Sequence, residues 1–411
     1  MSEILLLTDY YLPHAGGSRV YYHNLYSRLA GPDRVTVVTG RVPGAEDFDA
    51  VHSRECFRIV RRSTPLPDLK FKNLWRLAIP LSEAWWRSFR GKADILHAGD
   101  FYPAGAVALF LKRTARLPFI AYCHGEDITL TEARRFQRPL RNEIYRRADA
   151  VVAACEFARH KLLELGIPEH KITKITPGVD VERFRPLPVD VELARRTGLD
   201  GKRVLLTVAR LAPRKGHAMV LRAIARLIKR VPDLAYAIAG TGPERTSLEQ
   251  MVADLGIGDH VRFLGYVPDD QLHSYYNLCD AFVMVNTELE GDIEGFGMVF
   301  LEASATGKPV VGGKSGGTAD SIKDGVNGYL VDPLDLDSLT DTLERLLGDS
   351  HLSRRLGEAG RKRAVSEFDW TSRAQQLREL SSEVSGRHHS PGEAREPRPM
   401  QEDDTSTRVA L

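Results

Sequence analysis

The sequence predicts an α/β protein built from two parallel-sheet domains, and three observations carry that expectation. A chain of 411 residues with 43% hydrophobic and 27% charged content is long enough for two globular domains. Residues 4–8 form a short apolar run, followed by the loop 9–17, a helical segment over about 18–30 and a second apolar run at 34–39. The same strand, loop, helix, strand order returns at 281–285, 286–297, 298–306 and 309–311. Short buried runs alternating with helices belong to parallel sheets covered on both faces, of Rossmann-like form.

Composition narrows the class. A net charge of +2 gives no global field that calls for nucleic acid. Cys56, Cys123, Cys155 and Cys279 are scattered without metal-type spacing, and read as buried or free thiols of a reducing compartment. The first nine residues carry no basic stretch and enter a strand at once, unlike a signal peptide. No run of about 18 apolar residues occurs, so no membrane span is expected. The location expected is cytoplasmic.

Along the chain, the first unit lacks the Gly-x-Gly-x-x-Gly fingerprint, which argues against a nicotinamide cofactor. Gly16 and Gly17 by themselves mark only a turn. Residues 51–90 hold nine Lys/Arg against three Asp/Glu, and residues 70–92 hold Trp75, Trp85 and Trp86. This stretch fits peripheral contact with an anionic membrane face, or a helix packing its tryptophans inward, with Pro80 breaking any single stripe. Strands are expected at 93–97, 118–123 and 150–153, and the Arg-rich segment 134–147 as a solvated helix face. His124 follows the second of these strands, at the strand end where open α/β sheets bind ligands; a hydrogen-bonded structural histidine is the other reading.

Residues 172–186 read as a strand entering a Pro-rich connection, and the second domain opens with the strand 203–209. Arg210 and Lys215 lie on the loop before an amphipathic helix over about 217–230. Two cations there can neutralise a leaving diphosphate without metal, or serve as routine surface charge. Strands are expected at 235–239, before Gly240-Thr241-Gly242, and at 261–267 and 328–331, with helices at 336–347 and 352–368. Residues 385–411 have almost no apolar content, and disorder is expected there.

Residues 288–302 concentrate the chemistry: Glu-Leu-Glu-Gly-Asp-Ile-Glu-Gly-Phe-Gly-Met-Val-Phe-Leu-Glu. Gly295 and Gly297 flank Phe296 and let a ligand approach the backbone. The free N–H groups near Gly297, Met298 and Val299 suit an anion such as a diphosphate. Glu294 precedes the helix and Glu302 lies inside it, about 8–12 Å apart along the helical part. That separation suits an elongated ligand of sugar, diphosphate and ribose. Glu294 as a solvated loop charge and Glu302 as an ordinary polar position remain open, as does a divalent-metal site from the alternating Glu288, Glu290, Asp292 and Glu294.

The stretch 294–302, with Ala303, Gly307 and Pro309-Val310-Val311, resembles the signature of retaining glycosyltransferases of family 4, which have the GT-B architecture. Residues 289–298 are similar to mannosyltransferases of the phosphatidylinositol mannoside type, and the resemblance extends to about residue 385. It implies two Rossmann-like domains facing a central cleft: an N-terminal acceptor domain over 1–180 and a nucleotide-sugar donor domain over 181–367. A final helix over about 368–384 would cross back to the N-terminal domain, and residues 172–186 would be the inter-domain linker. The implied donor is a GDP- or UDP-hexose, used without cofactor or metal, and the implied acceptor is a glycan, a lipid-linked or a small molecule.

Residue by residue, the resemblance places Gly16 and Gly17 beside donor and acceptor, and His124 near the donor sugar. Arg210 and Lys215 fall against the diphosphate, and Gly242, Tyr266 and Val267 near the base. Glu294 falls on the sugar hydroxyls, Gly295 to Val299 on the diphosphate and Glu302 on the ribose diol. Retention at the anomeric carbon follows from the resemblance alone. The competing classes are a nucleotide-sugar epimerase of the same shape, and a non-catalytic sugar-nucleotide sensor, which would be expected to lack Glu294, Arg210 or Lys215.

Overall fold

The computed structural model describes residues 2–14, 16–62, 93–132, 134 and 137–387. Within them the chain forms two sheets whose strand pairs are all parallel. The first contains β1 (Glu3–Leu7), β2 (Arg34–Gly40), β3 (Phe57–Arg62), β4 (Ile95–Ala98), β5 (Phe119–Cys123), β6 (Ala150–Ala153) and β7 (Ile172–Lys174), in the order β3-β2-β1-β4-β5-β6-β7. The second contains β8 (Arg203–Val208), β9 (Leu234–Ala239), β10 (Val261–Gly265), β11 (Ala281–Met284), β12 (Val310–Gly313) and β13 (Gly328–Val331), in the order β10-β9-β8-β11-β12-β13. The central strands are continuous apolar runs because helices cover both faces, the pattern parallel sheets require. Strand order reverses between β1 and β4, and again between β8 and β11. Such switch points open crevices at the carboxyl ends of the strands, and the loops leaving β1, β5, β8 and β11 carry the candidate residues.

The final helix, Trp370–Arg387, returns to the first domain. Trp370, Ala374, Leu377, Leu380 and Val384 pack with Tyr21, Tyr22, Leu25 and Tyr26 of the helix Gly17–Leu29. Arg378 pairs with Asp33 at 3.1 Å at the far end of the contact. The crossing is pinned where the Val179 N–H donates to the Phe368 carbonyl at 2.9 Å. The helix overruns its expected end. Ser385 to Arg387 are helical rather than disordered, because buried Val384 and Ser385 hold the last turn against the domain, with Ser385 Oγ donating to the Ser381 carbonyl at 2.8 Å.

A second correction concerns the Arg-rich helix Gln137–Arg147, expected to present only a solvated face. Arg141 is fully buried and donates to the Ile128 carbonyl at 2.8 Å, to Thr131 Oγ1 at 2.6 Å and to Glu132 Oε2 at 3.1 Å. A buried guanidinium is tolerable only with its donors satisfied, and here it ties this helix to the helix Glu126–Glu132. The cationic and aromatic stretch with Trp75, Trp85 and Trp86, and the tail 388–411, lie outside the described residues. No helix among the described residues is long and apolar enough to cross a membrane.

Candidate active site

The donor half is built where β8 and β11 end. After β8 the chain makes a tight turn, Pro213–Lys215, and enters the helix His217–Leu227 through Gly216. Gly216 has φ +72°, and a Cβ there would lie 1.9 Å from the Val285 carbonyl oxygen, so only glycine lets the turn press on the end of β11. The Arg214 carbonyl accepts from Thr287 N–H at 2.8 Å, which fixes the start of the long loop after β11. That loop enters the helix Met298–Ala305 through Gly297, at φ +79°. The first N–H groups of a helix have no partner within it, and no side chain caps this one at Gly297.

Glu294 is only 9% exposed. Its Oε2 accepts from Arg214 Nη1 at 3.0 Å and from the Lys215 ammonium. Arg214 Nε also pairs with Asp292 Oδ1 at 2.9 Å. Burial alone would push the Glu294 carboxyl up, but Lys215 and Arg214 outweigh it and hold the group below its ordinary value, so it is ionised at neutral pH. Glu302 has a different environment. Burial pushes it up to about 7, while the Tyr276 hydroxyl, donating to Oε2 at 2.7 Å, opposes the rise.

The acceptor-domain wall of the cleft carries His124, just after β5. Its Nε2 lies 2.6 Å from the Tyr22 hydroxyl, and that hydroxyl donates to the Gly99 carbonyl. A hydroxyl has one hydrogen and a carbonyl can only accept. The hydrogen between Tyr22 and His124 therefore belongs to Nε2, which leaves Nδ1 as an acceptor with no hydrogen-bond partner among the described residues. Burial, helped by Arg19, pushes the imidazole down to about 4 against the pull of Glu126, so it is neutral at working pH. Asp127, in the first turn of the helix Glu126–Glu132, accepts from His124 N–H at 2.7 Å and ties the end of β5 to that helix.

The two walls meet closely. A Cβ at Gly295 would lie 3.4 Å from the His124 carbonyl oxygen, and one at Gly17 would lie 3.7 Å from Met298 Cε. Thr129 Oγ1 donates to the Gly291 carbonyl at 2.5 Å across the cleft. His124 of one domain thus lies against Gly295 of the other, and Gly17 against Met298.

Not every expected residue gathers here. Arg210 is exposed; its carbonyl accepts from Ala212 N–H at 2.9 Å and lies 3.4 Å from His217 Nε2, and its guanidinium has no partner among the described residues, so the arginine that reaches Glu294 is Arg214. Tyr266 is 72% exposed after β10, while Val267 and Phe296 are buried. Gly242 lies against Leu211, where a Cβ would come within 2.3 Å of the carbonyl oxygen. In the acidic loop Asp292 and Glu294 pair with Arg214 and Lys215, and no group of three or more His, Cys, Asp or Glu suited to a metal occurs among the described residues. Sequence reasoning missed Arg214, Tyr22 and Tyr276. The only signal was the adjacency of Arg214 to Lys215.

Two parallel-sheet domains meet over a buried, cation-held carboxylate and a helix start, an arrangement in keeping with the GT-B glycosyltransferases that the sequence resembles. Comparison with known proteins agrees. Residues 15–183 match the family model "Glycosyltransferase Family 4" and residues 191–363 the model "Glycosyl transferases group 1". The chain is 33% identical over 387 residues to the GDP-mannose-dependent alpha-(1-6)-phosphatidylinositol monomannoside mannosyltransferase of Mycolicibacterium smegmatis, covering 92% of this chain and 98% of that one. It is 31% identical over 406 residues to the D-inositol 3-phosphate glycosyltransferase of Thermobispora bispora, covering 91% of each. The fold matches Anabaena HepE in complex with UDP and glucose, with a TM-score of 0.79 at 22% identity over 93% of this chain and 100% of that one. It matches the sucrose-phosphate synthase of Thermosynechococcus elongatus with a TM-score of 0.79 at 22% identity, over 94% and 100%. The chain belongs to glycosyltransferase family 4.

Proposed function

We propose that this enzyme transfers a mannosyl group from GDP-mannose, with retention at the anomeric carbon and without a metal ion, to a lipid-linked acceptor of the phosphatidylinositol mannoside type. The observation that carries the reading is the buried Glu294 beside the Gly297 helix start, its Oε2 accepting from Arg214 and Lys215 of the adjoining turn. Naming of the donor and acceptor is supported by the mannosyltransferase that matches over nearly the whole chain.

Glu294 accepts hydrogen bonds from the sugar hydroxyls, and Glu302, in its ionised form, takes the ribose diol. The diphosphate lies on the N–H groups of Gly297, Met298 and Val299, with Lys215 and Arg210 beside it. Neutral His124 offers Nδ1 to a sugar hydroxyl from the opposite wall. The bond from the anomeric carbon to the diphosphate oxygen breaks and GDP departs. The acceptor oxygen bonds to that carbon, and its proton passes to the departing phosphate. Negative charge grows on the leaving group, where fixed cations and helix N–H groups stabilise the transition state more than the ground state. A lipid-linked acceptor places the work on the cytoplasmic membrane face, with the protein peripheral to it.

Titration with GDP- and UDP-hexoses tests the reading. GDP-mannose should bind more tightly than UDP-glucose and release GDP on addition of the phosphoinositide acceptor. Preference for a UDP-sugar, or release of free epimer without transfer, would overturn it.

A further inference from the structure

We infer that Arg214 is a positioning residue for the transfer reaction, holding Glu294 in place for the donor sugar while Lys215 serves the diphosphate. The inference rests on the donor reading above and adds a residue to it.

In this structure Arg214 and Lys215 both bond Oε2 of Glu294. The two cations are held differently. Among the described residues the Lys215 ammonium contacts only Glu294, at the end of a flexible four-carbon stem. Arg214 is held in more ways: its Nη1 donates to Glu294 Oε2 at 3.0 Å, its guanidinium forms an ion pair with Asp292 with Nε 2.9 Å from Oδ1 but not hydrogen-bonded, and its backbone is fixed where the carbonyl accepts from Thr287 N–H at 2.8 Å. A diphosphate at the Gly297 helix start attracts the cation that is free to turn, which is Lys215. Glu294 would then be a buried carboxylate losing a partner, which is costly unless another remains. Arg214 remains, because the Asp292 charge lies against its guanidinium and the Thr287 bond fixes its backbone. It also keeps Oε2 occupied, so that Oε1 is the oxygen presented to the sugar.

The setting of Arg214 agrees with this role. From its own turn it is flanked by Lys215, and from the loop after β11 by Asp292 and Glu294. From the acceptor domain it faces Glu126, whose carboxyl is pushed up by burial and by Asp127 and drawn down by His124 and Arg214. Arg214 is thus the cation common to the donor carboxylate and the wall that carries His124.

The test uses the full-length protein, GDP as probe of the diphosphate seat, and kcat at saturating donor from pH 5 to 9. Arg214→Met should bind GDP within about 2-fold of wild type, which also shows that the site has folded. Its kcat should fall roughly 10-fold or more at neutral pH. An acid limb should move up by about one pH unit or more, as Glu294 loses the fixed charge that keeps it ionised. Arg214→Lys should recover part of both. Lys215→Ala should instead lose GDP affinity. An unmoved acid limb in Arg214→Met, or a loss of GDP affinity equal to that of Lys215→Ala, overturns the role of Arg214 while leaving the donor site standing. Normal turnover in both Lys215→Ala and Glu294→Gln overturns the donor reading and this role with it.

Discussion

The Tyr22 hydroxyl lies 2.6 Å from His124 Nε2 and gives its one hydrogen to the Gly99 carbonyl, so it fixes the histidine as the Nε2–H tautomer. Tyr22 is itself buried in the first domain's core, where Tyr21 and Tyr122 surround the same imidazole. Tyr22→Phe keeps that packing and removes only the hydroxyl. The Nδ1–H form then becomes accessible, and it presents a donor where the sugar hydroxyl needs an acceptor. Turnover should fall about 3- to 10-fold, the worth of one buried hydrogen bond, with donor KM little changed. Nitrogen chemical shifts of His124 should report mixed tautomers in the variant and Nε2–H alone in the wild type.

Glu302 predicts a pH dependence of donor binding. Burial raises its carboxyl to about 7 in the free protein, and hydroxyls of a bound ribose favour the charged form. Binding therefore releases a proton below that value. Donor KM should be lowest above about pH 7 and rise as pH falls through it. Tyr276 opposes the rise by donating to Oε2, so Tyr276→Phe should move the transition to higher pH. Glu302→Gln should flatten it. Donor KM against pH for the three proteins decides the matter.

The phosphate clamp predicts a larger effect. Lys215→Ala should lower turnover by orders of magnitude, from losing about 2–4 kcal/mol of leaving-group stabilisation, and Arg210→Ala should do the same through its exposed guanidinium. Circular dichroism and kcat together check it: native spectra with near-normal turnover in both variants would remove the clamp from the mechanism.

Arg141 predicts a stability effect confined to one domain. Arg141→Ala removes the donors on the Ile128 carbonyl and Thr131 Oγ1 and opens a hole between two helices. The cost should be about 2–4 kcal/mol in urea unfolding. GDP affinity should change far less, since the proposed nucleotide seat lies in the other domain.

How legible these features were in the sequence follows from the range of the interactions. The central strands were plain because a strand buried on both faces is a continuous apolar run. The Glu294 to Glu302 unit was plain because its glycines and carboxylates are local to one loop and helix. Arg214 was not, because its role exists only once Gly216 folds the turn onto Val285 and brings Asp292 and Glu294 to it. Arg141 looked like one cation among many on a polar helix; its burial depends on the Ile128 carbonyl and the Thr131 hydroxyl, 13 and 10 residues earlier. Tyr22 read as helix core, which it is, and its hydroxyl gains meaning only from Gly99 and His124, just past the ends of β4 and β5.

The central claim is metal-free mannosyl transfer with retention, and product analysis tests it most directly. The full-length protein is incubated with GDP-mannose, a phosphatidylinositol mannoside acceptor and excess EDTA, and the product is followed by NMR. The account predicts GDP release matched by one new α-linked mannosyl residue on the acceptor. A β-linked product, or turnover that stops on chelation and returns with magnesium or manganese, would contradict it.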